Sequence, residues 1–255
     1  MAVRFSLAGN AGERSFKDQV ERAALMEELG YHGIFFSESL MSGLDPFQVL
    51  AIAAMRTKRI KLGTAIMTMT FREAVVLANQ AATLNEISDG RAVLGLGTGD
   101  GTTYTMARTA VPLEKFEEGT RIIRDLVNGR TIYIPKGKER EAGEIPLRAG
   151  KFPVPIWIAA AGPRALRAAG RVADGVILGC GFDLGVLKWA REQITLALVM
   201  LDEILRKSNM SAPESPAWMR MATAPGIRRA GDWPTGRIKI FALRWKRFRP
   251  KSGRV

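Results

Sequence analysis

The strongest constraint in this chain is an alternation that repeats along residues 1–207: a short apolar run, a gap rich in Gly, Ser or Asp, then a helix-length amphipathic segment. The apolar runs are residues 3–8, 33–37 and 60–67, RAVLGLG ending at Gly97, PVPIWIAAAG and GVILG. Between them the spacing predicts helices over 15–29, stopped by Gly30, and over 46–57, opened by Asp45 as N-cap with Pro46 at the first helical position. Further helices are predicted over 72–87, closed by Asp89 and Gly90, over 113–128, halted at Gly129, over RALRAAGRVA, and over 185–207. Residues 130–152 hold two short extended pieces, TIYI and EIPLRAG, and read as an excursion with a hairpin. Six strand–helix units imply a parallel sheet with helical crossovers. The strands are apolar almost throughout, as expected when both faces are covered. A doubly wound open sheet and an eight-stranded barrel with six visible units both satisfy this pattern.

Composition narrows the chemistry. The chain has 255 residues, 47% apolar and 25% charged, which excludes disorder for the bulk. No window reaches about 18 uncharged apolar residues, so no membrane span is expected. The N-terminus lacks a basic stretch followed by an unbroken apolar core. A single cysteine, Cys180, permits no internal disulfide and fits a cytoplasmic address. A single histidine, His32, leaves a zinc site short of ligands and disfavours a Ser-His-Asp triad; no metal is expected. Chemistry in such a chain relies on something bound.

The net charge of +13 is concentrated at one end. From Arg220 to Val255 there are eleven Lys or Arg and one acid, Asp232, giving +10 over 36 residues; the rest of the chain carries +3. Prolines at 213, 216, 225, 234 and 250 interrupt this end, and residues 238–245 offer one strand candidate. The chain therefore divides into a barrel-like domain, 1–207, and an atypical basic extension, 208–255. A nucleic-acid partner is disfavoured, because only Phe241, Trp245 and Phe248 interleave with the basic residues. The composition shift looks like an altered reading frame, with a natural basic extension as the bland alternative. Either way, strands one and six are expected to have unpaired edges, with self-association into a homo-oligomer as the remedy and low turnover as the consequence.

Four segments resemble a known family in order: FFSES, KRIKLGTAIM, ATLNEISDGRAVLGLGTGDG and VPIWIAAAGPRALRAAGRVADGVILG. The chain resembles the bacterial-luciferase-like flavin and deazaflavin oxidoreductases over residues 1–207, and within them the coenzyme F-420-dependent methylenetetrahydromethanopterin reductases. That resemblance implies a TIM-like (β/α)8 barrel, incomplete here, and decides between the two architectures. It also implies hydride transfer between coenzyme F-420 and a small organic substrate. FMN with oxygen, in a luciferase-like monooxygenase, is the nearest rival. A cofactor-binding barrel without turnover is a third reading. An S-adenosylmethionine methyltransferase is a fourth, since VLGLGTGDG mimics that glycine loop but lacks an acid at the place of Gly95.

The resemblance assigns roles residue by residue. The turn containing Gly97, Thr98 and Gly99 follows a strand, so it lies where a barrel binds ligands, and glycines there admit a close approach. Ala160, Ala161, Gly162 and Pro163 precede a helix and would hold the cofactor phosphate on free backbone N–H groups. Thr64, Ala65 and Ile66 match a strand bulge with a cis peptide, here Ala65–Ile66, behind the cofactor ring. Asp100 and Glu38 are the candidate catalytic residues; Asp100 is otherwise an ordinary turn former. Ser39 stands where many deazaflavin members carry a histidine, and Ala8 where the reductases carry a glutamate; both departures argue against a pterin substrate. Gly179 and Cys180 follow the sixth strand on the ligand side.

Overall fold

The computed structural model describes residues 4–10, 15–41, 43–99, 101–134, 143–145, 153–181, 183–208 and 239–242. The elements in chain order are β1 (Ser6–Asn10), α1 (Phe16–Glu28), β2 (Gly33–Ser37), α2 (Pro46–Arg56), β3 (Lys61–Thr64), β4 (Met67–Thr68) and α3 (Ala74–Ile87). They continue with β5 (Ala92–Gly97), α4 (Gly101–Thr105), α5 (Leu113–Val127), β6 (Ile132–Ile134), β7 (Gly143–Ile145) and β8 (Ile156–Ala160). The last are α6 (Pro163–Val172), β9 (Gly175–Leu178), α7 (Leu184–Ser208) and β10 (Lys239–Ala242). The main sheet runs β1-β2-β3-β5-β8-β9-β10, all parallel, with β4 also on β5; β6 and β7 form the expected antiparallel hairpin. Over the described residues this is a curled, incomplete TIM-like barrel.

Local chemistry starts the helices. The Ser15 Oγ accepts the Asp18 N–H at 3.2 Å, and Asp45 Oδ1 accepts those of Phe47 and Gln48 at 2.9 and 3.3 Å. Strand residues then alternate between two cores. Ile34, Phe36, Leu62, Leu94, Leu96, Ile158 and Leu178 join the helices in the larger one. Phe35, Val93, Trp157 and Ile177 form a second cluster on the opposite face of the sheet, inside the curl. Gly63 and Gly175, in register with Phe35 and Trp157, make room for the two rings: an added Cβ would stand 2.6 and 2.7 Å from them.

The ends of the strands away from the curl's upper rim are tied by two side chains. All five donors of the buried Arg91 guanidinium are used, on Ser88 O, Thr57 O, Thr57 Oγ1, Ala54 O and Ile60 O, so it closes the C-terminus of α2. Glu27 accepts the consecutive N–H groups of Lys58, Arg59 and Ile60 at 2.6–3.0 Å. The SDGR motif therefore owes part of its form to folding: Asp89 and Gly90 take φ of 51° and 78° so that Arg91 can reach α2.

The third strand is split into β3 and β4 at a cis peptide, Ala65–Ile66, where the family resemblance places it. Three expectations change. Helix α3 starts at Ala74 rather than Arg72, because the Arg72 side chain is engaged by the preceding segments. The short helix α4 has no amphipathic signature and was not expected. The edge of the sixth unit is not open: Lys239–Ala242 lies parallel on Gly175–Leu178. Among the described residues no helix is long and apolar enough to cross a membrane, and no group of three or more His, Cys, Asp or Glu is gathered for a metal.

Candidate functional site

The C-terminal ends of the parallel strands form one rim, the place where barrels of this kind bind ligands. At its centre is the interruption between β3 and β4. Residues 65 and 66 lie outside the regular strands at the cis bond, and three contacts hold this bulge. Ala65 N–H donates to Phe36 O at 2.9 Å, and Glu38 N–H donates to Ile66 O at 3.1 Å. The Thr64 hydroxyl, fully buried, donates to Gly95 O and accepts from Gly95 N–H, both at 2.9 Å. Ile66 lies against Gly97, where any Cβ would overlap its Cδ1.

Beside this bulge sits a buried ionic group. Glu38 follows β2, its side chain only 2% exposed, and is ion-paired with Arg72 Nη1. Arg72 Nη2 reaches Asp45 Oδ2 at 2.6 Å, and Glu38 Oε2 accepts Thr68 N–H at 3.4 Å. Burial pushes the Arg72 guanidinium below its ordinary pKa; an arginine keeps its proton nonetheless. In the sequence, Glu38 stood out while Arg72, Asp45 and Thr68 did not. Arg72 reads there as the first residue of a helix, and Asp45 as a cap and nothing more.

The inner face above the Phe35–Trp157 pair is lined by small side chains, with Ala8, Ala65, Ile66 and Ala159 packed on that cluster. Gly97 and Gly99 continue it, Gly99 with φ of 121°, and Val111 N–H holds Thr98 O at 2.7 Å. At β8's end, Ala160 turns into the helix-facing core while Ala161, Gly162 and Pro163 are exposed. Gly162 is the N-cap of α6, has no side chain to occupy the first-turn N–H groups, and an added Cβ there would meet nothing within 4 Å. These features fit a cofactor with a ring and a phosphate arm. Ser39 lies partly exposed on the rim, its carbonyl accepting Gly43 N–H at 2.6 Å. Gly179 is exposed, and Cys180 is half-buried against the helix-facing core. Asp100 lies outside the described residues.

A curled parallel half-barrel with its polar and glycine-lined groups at the C-terminal strand ends defines a TIM-like scaffold built around that rim. The chain belongs to the luciferase-like monooxygenase family, whose model matches residues 1–198. It is 33% identical over 159 residues to a 5,10-methylenetetrahydromethanopterin reductase of Methanolobus tindarius, covering 61% of this chain and 48% of that protein. It is 32% identical over 192 residues to an F-420-dependent glucose-6-phosphate dehydrogenase of Nakamurella multipartita, covering 70% of this chain and 57% of that one. The chain thus spans about half the length of the curated relatives it matches. The fold is shared with the coenzyme F-420-dependent tetrahydromethanopterin reductase of Methanopyrus kandleri, with a TM-score of 0.67, 22% identity, and coverage of 84% of this chain and 64% of that one.

Proposed function

We propose that this chain binds coenzyme F-420 at the upper rim and uses it in hydride transfer with a small organic substrate. The observation that carries this reading is the pairing of the inner face formed by Ala8, Ala65, Ile66 and Ala159 with the N-terminus of α6 at Gly162, which has no side-chain cap. The F-420-dependent relatives give it its direction. A deazaflavin would supply a two-electron hydride carrier when bound.

The chain's own part is to hold and orient. The backbone N–H groups of Gly162, Arg164 and Ala165 would hold the phosphate arm, Pro163 having none, and no side chain caps the first turn at Gly162. The Ala65–Ile66 segment, pinned by Phe36 O and by Glu38 N–H, would back the ring. Gly97 and Gly99 make room for the Ile66 and Thr103 side chains that pack on them. Fixing ring and substrate in one short, aligned geometry lowers the entropy cost of the transfer. The pterin itself is not proposed as substrate, because Ala8 and Ser39 replace the polar groups the resembled reductases carry.

FMN is the second reading, favoured by the family's monooxygenase members. Parallel absorbance titrations of the purified protein with F-420 and with FMN decide. Saturable F-420 binding tighter than that of FMN is expected. Binding of FMN alone would move the chain to the flavin branch, and binding of neither would make it a barrel without cofactor chemistry.

A further inference from the structure

We propose that Thr64 is a positioning residue of the candidate site: its hydroxyl stands in for the backbone rung missing beside Gly95 and so sets Ala65 and Ile66 on the inner face. The registers on β5 show what is missing. Gly63 pairs with Val93 before the break and Met67 with Leu96 after it, so Leu94 and Gly95 stand opposite three residues, Thr64 to Ile66. One residue is in excess, and a ladder takes it up as a bulge. Leu94 is turned to the other neighbour, where its N–H donates to Pro155 O at 2.9 Å. Successive residues of a parallel strand present their N–H and C=O to opposite neighbours, so both groups of Gly95 point at the break. The Thr64 Oγ1 takes both, accepting from Gly95 N–H and donating to Gly95 O, each at 2.9 Å. A hydroxyl donates and accepts at once, and this one is fully buried.

On its other side Thr64 is in register with Phe36, whose carbonyl holds the Ala65 N–H at 2.9 Å. The Thr64 carbonyl fills the space at Gly95 where a side chain would begin, since an added Cβ there would overlap it. Thr64 is thus held by both neighbouring strands, and Ala65 and Ile66, which follow it directly, pack on the inner cluster of Phe35, Val93, Trp157 and Ile177. Without the hydroxyl, the buried N–H and C=O of Gly95 lose their partner, which favours a shift of the residues beside them. The hydroxyl is used on Gly95, so the part of Thr64 is to place its neighbours and not to touch a cofactor.

Only the effect on binding rests on the proposed cofactor reading, so the first test is amide hydrogen exchange of the protein without cofactor, for the wild type, Thr64→Val, Thr64→Ala and Thr64→Ser. In Thr64→Val and Thr64→Ala the amides of Gly95, Ala65 and Glu38, the last donating to Ile66 O, should exchange at least ~10-fold faster. The Leu62 N–H, which donates to Arg91 O lower on β3, should keep its protection, and Thr64→Ser should restore that of the other three. In titrations with F-420, or with FMN if that is what binds, Thr64→Val should bind at least ~10-fold more weakly and Thr64→Ser should recover the affinity. Thr120→Val removes an equally buried hydroxyl, bonded to Phe116 O within α5, and should leave the affinity unchanged. Wild-type protection of Ala65 and Glu38 in Thr64→Val would overturn the proposal. So would a loss of protection that spreads to Leu62, or an unchanged affinity once those two amides are loosened. Failure of both the Val and Ala variants to fold would also overturn it, since a hydroxyl that only places the bulge is not needed for the sheet to form. Failure of the wild type to bind F-420 or FMN would sink the cofactor reading and leave amide exchange to judge Thr64.

Discussion

Phe35 of β2 and Trp157 of β8 stack inside the curl, ring centroids 5.2 Å apart and planes inclined by 24°, although β3 and β5 stand between their strands. The pair bridges the concave face of the sheet and forms the floor beneath the candidate site. Trp157→Ala should cost about 3–5 kcal/mol, while Trp157→Phe should cost less than about 1.5. Urea unfolding curves measure both. An alanine variant within about 1 kcal/mol of wild type would mean that the curl is held elsewhere.

Arg91 is 8% exposed, and every donor on its guanidinium has an acceptor in α2 or the turns beside it. Arg91→Met should cost about 3 kcal/mol by leaving buried carbonyls unpaired. Arg91→Lys should recover less than half, since one ammonium cannot reach five acceptors set for a planar fork. Equal stability of the Lys variant and the wild type would refute this.

Glu27 predicts an acid-sensitive stability. Burial alone would raise its pKa, but the N–H groups of Ile60, Arg59 and Lys58, with the Arg59 charge, outweigh it and leave the carboxyl below its ordinary value. A lowered folded pKa contributes stability above the unfolded value of about 4.3, and that stability is lost as pH falls through the folded value. Glu27→Gln should therefore be less stable by about 1–2 kcal/mol at neutral pH and should converge on the wild type in acid. A Tm difference that stays constant from neutral pH into acid would disconnect Glu27 from this limb.

At the rim, Gly162→Glu should weaken F-420 binding by more than ~1.4 kcal/mol, about tenfold, by placing a carboxylate where the phosphate arm is proposed. Gly162→Ala is the control. Its φ of −94° suits any residue and an added Cβ meets nothing within 4 Å, so affinity should hold. Unchanged affinity in a folded Glu variant would move the phosphate away from α6.

Much of the fold was legible because its signals are local. Ser15 and Asp45 cap helices with donors two or three residues away. Gly30, Gly90 and Gly129 stop them with φ of 79°, 78° and 75°. The hairpin at β6–β7 and the six strand–helix units follow from hydrophobic period and turn chemistry alone. The Ala65–Ile66 cis bond was legible only through the likeness of LGTAI to a family motif, since no local propensity favours it.

The alternation, the caps and stops, and hence a parallel sheet with outer helices, follow from local order, because each depends on residues within about one helical turn. What each polar side chain meets follows from packing between distant segments. Arg72 reads locally as a helix start, yet it pairs with Glu38 and with Asp45, the latter 27 positions away. Arg91 reads as a charge before a strand, yet it seals a helix end 37 positions away. Lys239–Ala242 reads as an isolated apolar piece in a basic stretch, yet it extends the sheet beside β9. A charge becomes structural when the segments folding around it remove water and supply partners, and neither condition is written within a few residues of it.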